Sequence, residues 1–209
     1  TIASIGVPNL DDDDKPISDV VFEDGIVSKN VKEAIHCVSI DENRVAFQPT
    51  LMSQDERFTE IWFAGAHADV GGGFWYDGLS DITLEYMIDQ LRSRRFGLRL
   101  LQATDVDYSL LVAPDNSYKI DREDVHIKPN HRGKSHPKDR WRPIAKATLG
   151  VRKLRVMEND GELAGAEIMV HSTVVRRIND VIGYRPKALK GVPHAVDGTS
   201  YTGIVEHIT

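Results

Sequence analysis

One stretch limits the possible folds more than any other: EIWFAG, residues 60–65, followed after Ala66 by H-A-D-V-G-G-G-F, residues 67–74. A short apolar run rich in β-forming residues and closed by a glycine predicts a strand buried on both faces. Gly71, Gly72 and Gly73 then allow backbone shapes and close approaches that side chains forbid. A helix pattern follows in LSDITLEYMIDQLRSRRFG, where Ile82, Leu84, Met87, Ile88 and Leu91 fall largely on one face. Ser80 is the expected N-cap. Asp81 and Glu85 load the first turns, Arg92, Arg94 and Arg95 the end, and Gly97 the stop.

The strand-then-helix order recurs near the end, with EIMVH running into STVVRRINDVI and closing at Gly183 and Pro186. Strands alternating with helices predict an α/β layered fold, a central mostly parallel sheet flanked by helices. Between these blocks, residues 113–146 turn polar and irregular, and the basic tract HIKPNHRGKSHPKDRWRP suits an extended surface excursion. Further forward, Val31, Ala34, Ile35 and Val38 recur at three- and four-residue steps behind Asn30. That spacing predicts an amphipathic helix carrying Cys37 as a small buried hydrophobe. TIASIGVP suits the end of a strand entering a loop, and the DDDDK run at 11–15 a solvated loop or a tag-like sequence.

Charge is unevenly spread. Residues 1–91 hold 5 Lys/Arg against 18 Asp/Glu, and residues 92–209 hold 21 against 14. A basic back half can engage phosphate groups, of lipid or nucleic acid, or can be an ordinary solvated surface. A single cysteine excludes an internal disulfide framework and any multi-cysteine zinc site. No run of eighteen apolar residues suggests a membrane span, and no basic-then-apolar start suggests a secretory signal, so the expected location is cytoplasmic or exported by another route.

Candidate chemistry centres on His67. A histidine leaving the carboxyl end of a buried strand is placed where open α/β sheets bind ligands, and imidazole exchanges protons near neutral pH. The other reading is a buried histidine bonded to backbone. His67 and Asp69 form an H-x-D pair without a third ligand, so no metal is expected. DVGGGF completes neither a G-x-G-x-x-G nor a P-loop, so no nucleotide cofactor is expected. Asp69 suits a turn role, accepting backbone N–H groups of the glycines, or could take the second imidazole N–H. His126, His131 and His136 recur at five-residue steps without acidic or cysteine companions, again a poor metal set. No G-x-S-x-G nucleophile elbow occurs.

WFAGAHADVGGGF followed by LSDITLEYMI resembles the W-F-x-G-x-H-[S]-D-V-G-G-G-[YF] … L-S-D-x-x-L-x-x-M pattern of a family of α/β-hydrolases that includes the type VI secretion phospholipase effectors of the first lipase class. VKEAIHCVSIDENRVAFQP is similar to that family's R-H-A-L-x-L-D-E-x-R-x-x-F-x-P segment, and VHSTVVRRINDVIGYRPKAL to its closing segment. Ala68 replaces the usual Ser/Thr and Phe74 the usual Tyr. The resemblance implies a partial α/β-hydrolase fold whose residues 1–209 form the C-terminal portion of one catalytic domain. It implies a Ser–Asp–His triad with His67 as general base and Asp69, Gly71, Gly72 and Gly73 as its supporting loop. The acid would directly precede Thr1 and the serine would lie further upstream. The missing methionine, the mid-domain character of the start and a base without a nucleophile fit that expectation, and the isolated chain is expected to be inactive. The implied partners are a lipid or ester substrate, a transient membrane-surface contact and the upstream half of the domain, with no nucleic acid and no cofactor. The competing class is a non-catalytic module whose basic C-terminal half contacts phosphate groups.

Overall fold

The computed structural model describes residues 27–74, 78–94, 98, 100, 103–112, 115, 117, 119–137, 148–159 and 161–198. The expectations for TIASIGVP, the acidic run at 11–14, the Gly97 stop, Trp141 and Arg142 fall outside them. The central sheet is built from β1 (Ala34–Ser39), β2 (Phe58–Phe63), β5 (Ile168–His171) and β6 (His194–Asp197), in the order β1-β2-β5-β6. All three pairings are parallel, with Ala34 opposite Phe58, Trp62 opposite Val170, and Ile168 opposite His194. A two-residue hairpin, β3 (Met157–Glu158) with β4 (Gly161–Glu162), stands apart from it.

Central strand β2 is buried on both sides, as its apolar run predicts. Trp62 points into one cluster with Val38, Ile40, Val170 and Val174. Ile61 and Phe63 point into the other with Val70, Ile82 and Tyr86. Complete burial of each such side chain stabilises the fold by about 2–3 kcal/mol. Helix α3 (Ser172–Asp180) supplies Val174 to the first cluster; α1 (His67–Gly71) and α2 (Leu79–Ser93) supply the second. The fold is therefore an α/β layer with helices on a parallel sheet.

Three sequence expectations change. Residues 34–39 form a strand, not a helix, and Cys37 lies within it, half-buried. A strand buried on both faces lacks clean alternation, so its apolar positions also matched a helical spacing. Here Ile35 and Cys37 serve one cluster while Val38 and Ile40 serve the other, and six paired residues with β2 decide the matter. Helix α2 is capped by Gly78 in the left-handed region, not by Ser80. Its buried face runs Leu79, Ile82, Thr83, Tyr86, an i, i+3, i+4, i+7 stripe that leaves Leu84 47% exposed.

The third change concerns the basic tract. Its described residues carry no helix or strand, as expected, yet it is a strap and not a solvated loop. The Asn130 N–H donates to Gly78 O at 3.0 Å, and Lys128 N–H to Asp81 at 2.7 Å. His131 is only 5% exposed and pairs with Asp180 on α3 at 2.7 Å. Buried Arg177 donates to the carbonyls of His131 and Gly133. A side chain at Gly78 would collide with Asn130, so this glycine is needed where the strap crosses α2. The strap thus ties the start of α2 to α3.

Candidate active site

Parallel pairing of β1 with β2 brings the carboxyl ends of both strands to one edge, and the chain leaving each carries the polar residues. Backbone pairing continues past the strands: Ile40 N–H donates to Phe63 O and Asp41 N–H to Gly65 O. Glu42 and His67, twenty-five positions apart in sequence, therefore meet, with Glu42 Oε2 2.5 Å from His67 Nδ1. The Glu42 side chain is wholly buried; that of His67 is 38% exposed.

Arg44 holds the same carboxylate in a fork. Its Nε donates to Oε1 at 2.8 Å and its Nη2 to Oε2 at 2.9 Å, while its backbone N–H reaches Oε1 at 3.0 Å. Burial pushes the Glu42 carboxyl up, but the donors from Arg44 and His67 together outweigh it and hold the group down at about 2. The Arg44 guanidinium also covers the Phe47 ring at 3.7 Å, and Phe47 stacks on the imidazole at 5.0 Å. Arg152, buried beneath, donates to the carbonyls of Ser39 and Phe47 and to the Ser39 hydroxyl. Burial lowers its guanidinium to about 10.

Arg44 Nη2 lies 2.9 Å from His67 Nδ1 as well. Guanidinium only donates, so it bonds Nδ1 only when that nitrogen is bare. A bare Nδ1 would set lone pair against lone pair at the closer, ionised Glu42. The charge-assisted contact decides the assignment: Nδ1 carries the proton and donates to Glu42. Nε2 is then free to accept a proton.

Asp69 is placed elsewhere. Positions two apart on a helix do not face each other, and the wholly buried Asp69 points away from His67. Its Oδ2 accepts Ala66 N–H and His136 N–H, each at 2.8 Å, and the Ser135 hydroxyl at 3.3 Å. Its Oδ1 accepts His136 Nδ1 at 2.7 Å. The donors are thus Ala66 and the strap rather than the glycines. Gly71 ends α1, and Gly72 and Gly73 follow it with φ of 84° and 148°, letting the chain turn away from the site. Ser135, His136 and Asp69 have the residue types of a triad but not its connectivity, because the hydroxyl bonds to the carboxylate rather than to the imidazole. His136 stacks instead on Phe74, with ring centroids 3.9 Å apart.

Among the described residues no group of three His, Cys, Asp or Glu could hold a metal ion, and His131 and His136 bond to separate aspartates. No described helix is long and apolar enough to cross a membrane. Sequence reasoning had found His67 but not Glu42, Arg44 or Phe47. Their signal is the D-E-x-R-x-x-F within the family-like VKEAIHCVSIDENRVAFQP segment, which carries no role until the β1–β2 register sets it beside His67.

The carboxylate-held imidazole at adjacent strand ends, with a glycine-rich turn behind it, is carried by residues 42–73. That segment lies within a family match. Residues 1–90 match the T6SS phospholipase effector Tle1-like catalytic domain. The resemblance of the histidine motif to these effectors thus holds over the segment bearing Glu42, Arg44, Phe47, His67 and Asp69. The Tle1-like match supports a phospholipase-type hydrolase. No curated protein and no solved structure matches the chain.

Proposed function

We propose that this sequence supplies the general base of an ester-hydrolysing, phospholipase-type active site, with His67 as the base. The observation that carries the reading is the buried Glu42 carboxylate on Nδ1, which leaves Nε2 as a proton acceptor on a partly exposed ring. Nε2 takes the proton of a serine hydroxyl as it attacks the ester carbonyl, then returns it to the leaving alcohol. The serine is the one that the resemblance implies upstream of Thr1. A positioned base of this kind contributes roughly 10²- to 10⁴-fold to rate.

Lipid esters are the substrate class that the Tle1-like match favours. The competing phosphate-binding module has less support, because three of the strap's described basic residues are engaged within the chain. His131 and Arg132 face Asp180, and Lys128 faces Glu123. The test joins this sequence to a segment carrying the serine elbow and measures release of fatty acid from phosphatidylglycerol or phosphatidylethanolamine vesicles. His67→Ala should abolish turnover with the fold intact; retained turnover would refute the assignment.

A further inference from the structure

The turn that follows α3 carries two features for which the proton transfer has no use. Ile182, a large apolar side chain, is fully exposed. Between residues 181 and 196 the chain holds Arg185, Lys187 and Lys190 but no Asp or Glu. We propose that this turn is where the protein meets an anionic phospholipid surface, with Ile182 entering the acyl boundary and the three cations meeting lipid phosphates. The proposal rests on the reading of lipid esters as the substrate class.

Backbone geometry fixes the tip. Val181 N–H donates to Arg177 O at 2.9 Å, and Tyr184 N–H to Val181 O at 3.1 Å, which closes a four-residue turn with Ile182 and Gly183 at its apex. Gly183 has φ of 83°, the left-handed value that glycine supplies at the third position of a turn. Arg185 Nη1 donates to the carbonyls of Ile178 and Tyr184, which keeps its guanidinium beside the turn. Arg185, Lys187 and Lys190 are all exposed. Asp180, the carboxylate just before the turn, is engaged by His131 and Arg132, so it does not neutralise them. The Tyr184 ring lies under the Arg177 guanidinium at 4.8 Å, and its hydroxyl donates to Asp41 at 2.8 Å. Asp41 adjoins the Glu42 that holds His67, so the turn is tied to the end of the sheet that bears His67.

Charge and apolar contact have separate signatures. One apolar side chain binds a bilayer weakly, so the contact is reversible and needs the cations as a second signal. Each basic residue near an anionic surface contributes roughly fivefold to binding, and salt screens that contribution. The chain should therefore float with phosphatidylglycerol vesicles, and bind pure phosphatidylcholine vesicles on the order of tenfold or more less tightly. Ile182→Asp should weaken the binding on the order of tenfold, and Lys187→Gln together with Lys190→Gln at least as much. In Ile182→Trp, brominated acyl chains should quench the added indole, a readout that requires no loss of binding.

Equal affinity for the two lipids, undiminished binding by Ile182→Asp, or an unquenched indole in Ile182→Trp overturns the inference. So does displacement of the vesicles by inorganic phosphate matched to the lipid phosphate, which would make the cations a free-phosphate site. Vesicle binding by this chain that disappears in the serine-bearing protein would mean that protein covers the turn, and overturns it as well. Binding is read without any turnover. A failure here therefore leaves the assignment of His67 to its own test, the hydrolysis of vesicle lipid by His67→Ala.

Discussion

Glu42 should set the acid limb of the stability curve. Its carboxyl is lowered from 4.5 to about 2 in the folded chain, and 1.36 kcal/mol per unit makes this about 3 kcal/mol of stability. The sign follows from the direction. A carboxyl depressed by folding contributes fully above its ordinary range, and that contribution is lost as pH falls from about 4.5 towards about 2. Glu42→Gln removes the titration and leaves Arg44 without its carboxylate, at a cost on the order of 3 kcal/mol near neutrality. Because a protonated Glu42 resembles Gln electrostatically, the two proteins should converge in acid. Urea unfolding of both, from pH 7 downward, measures this: the gap should be widest at pH 6–7, begin to narrow near pH 4.5 and shrink steadily towards about pH 2. Asp41, raised by burial, titrates in both proteins and cancels in the difference. Parallel curves across the whole range would refute the buried, doubly held carboxylate.

Two further outcomes test the surrounding framework. Gly65 has φ of +110°, and a Cβ there would lie 2.5 Å from Asp69 Cβ, so Gly65→Ala should destabilise by about 3 kcal/mol. Thermal unfolding within about 0.5 kcal/mol of the parent would contradict that contact. Burial pushes the Cys37 thiol up to about 12 from 9.0, so at pH 8 a thiolate-selective reagent should label it on the order of 10³-fold more slowly than in urea. Equal rates would place Cys37 outside the sheet.

Legibility in the sequence followed the strength of local signals. Strand β2, helix α2 and the β5–α3 unit were readable because each joins a bounded apolar run to a turn or charge-loaded helix. His67 was readable because it ends such a run. Strand β1 was not, since Val31, Ala34, Ile35 and Val38 fit a helical period, and only its pairing with β2 resolves the ambiguity. Glu42 went with it: a carboxylate two positions from an arginine resembles any surface pair until the register sets it beside His67. The strap was obscured for a related reason. Its histidines and arginines resemble a solvated cationic face, but their partners, Asp69 and Asp180, lie 67 and 49 positions away.

The register also explains how one imidazole is aimed so closely. Three consecutive positions at the end of β2 are each held by a different carboxylate. Asp41 accepts the Gly65 N–H at 2.7 Å, Asp69 the Ala66 N–H at 2.8 Å, and Glu42 the His67 Nδ1–H at 2.5 Å. Each carboxylate is held in turn by a separate part of the chain: Asp41 by the Tyr184 hydroxyl, Asp69 by His136, and Glu42 by Arg44. A single carboxylate would orient the ring but leave the turn free to pivot; three fix the turn and the ring together, the preorganisation that the proposed base would need. Two of the three supports, Tyr184 and His136, lie beyond residue 90, where the Tle1-like match ends. The back half therefore reaches the same turn as the front, through the Tyr184 and His136 bonds that hold the carboxylates beneath His67.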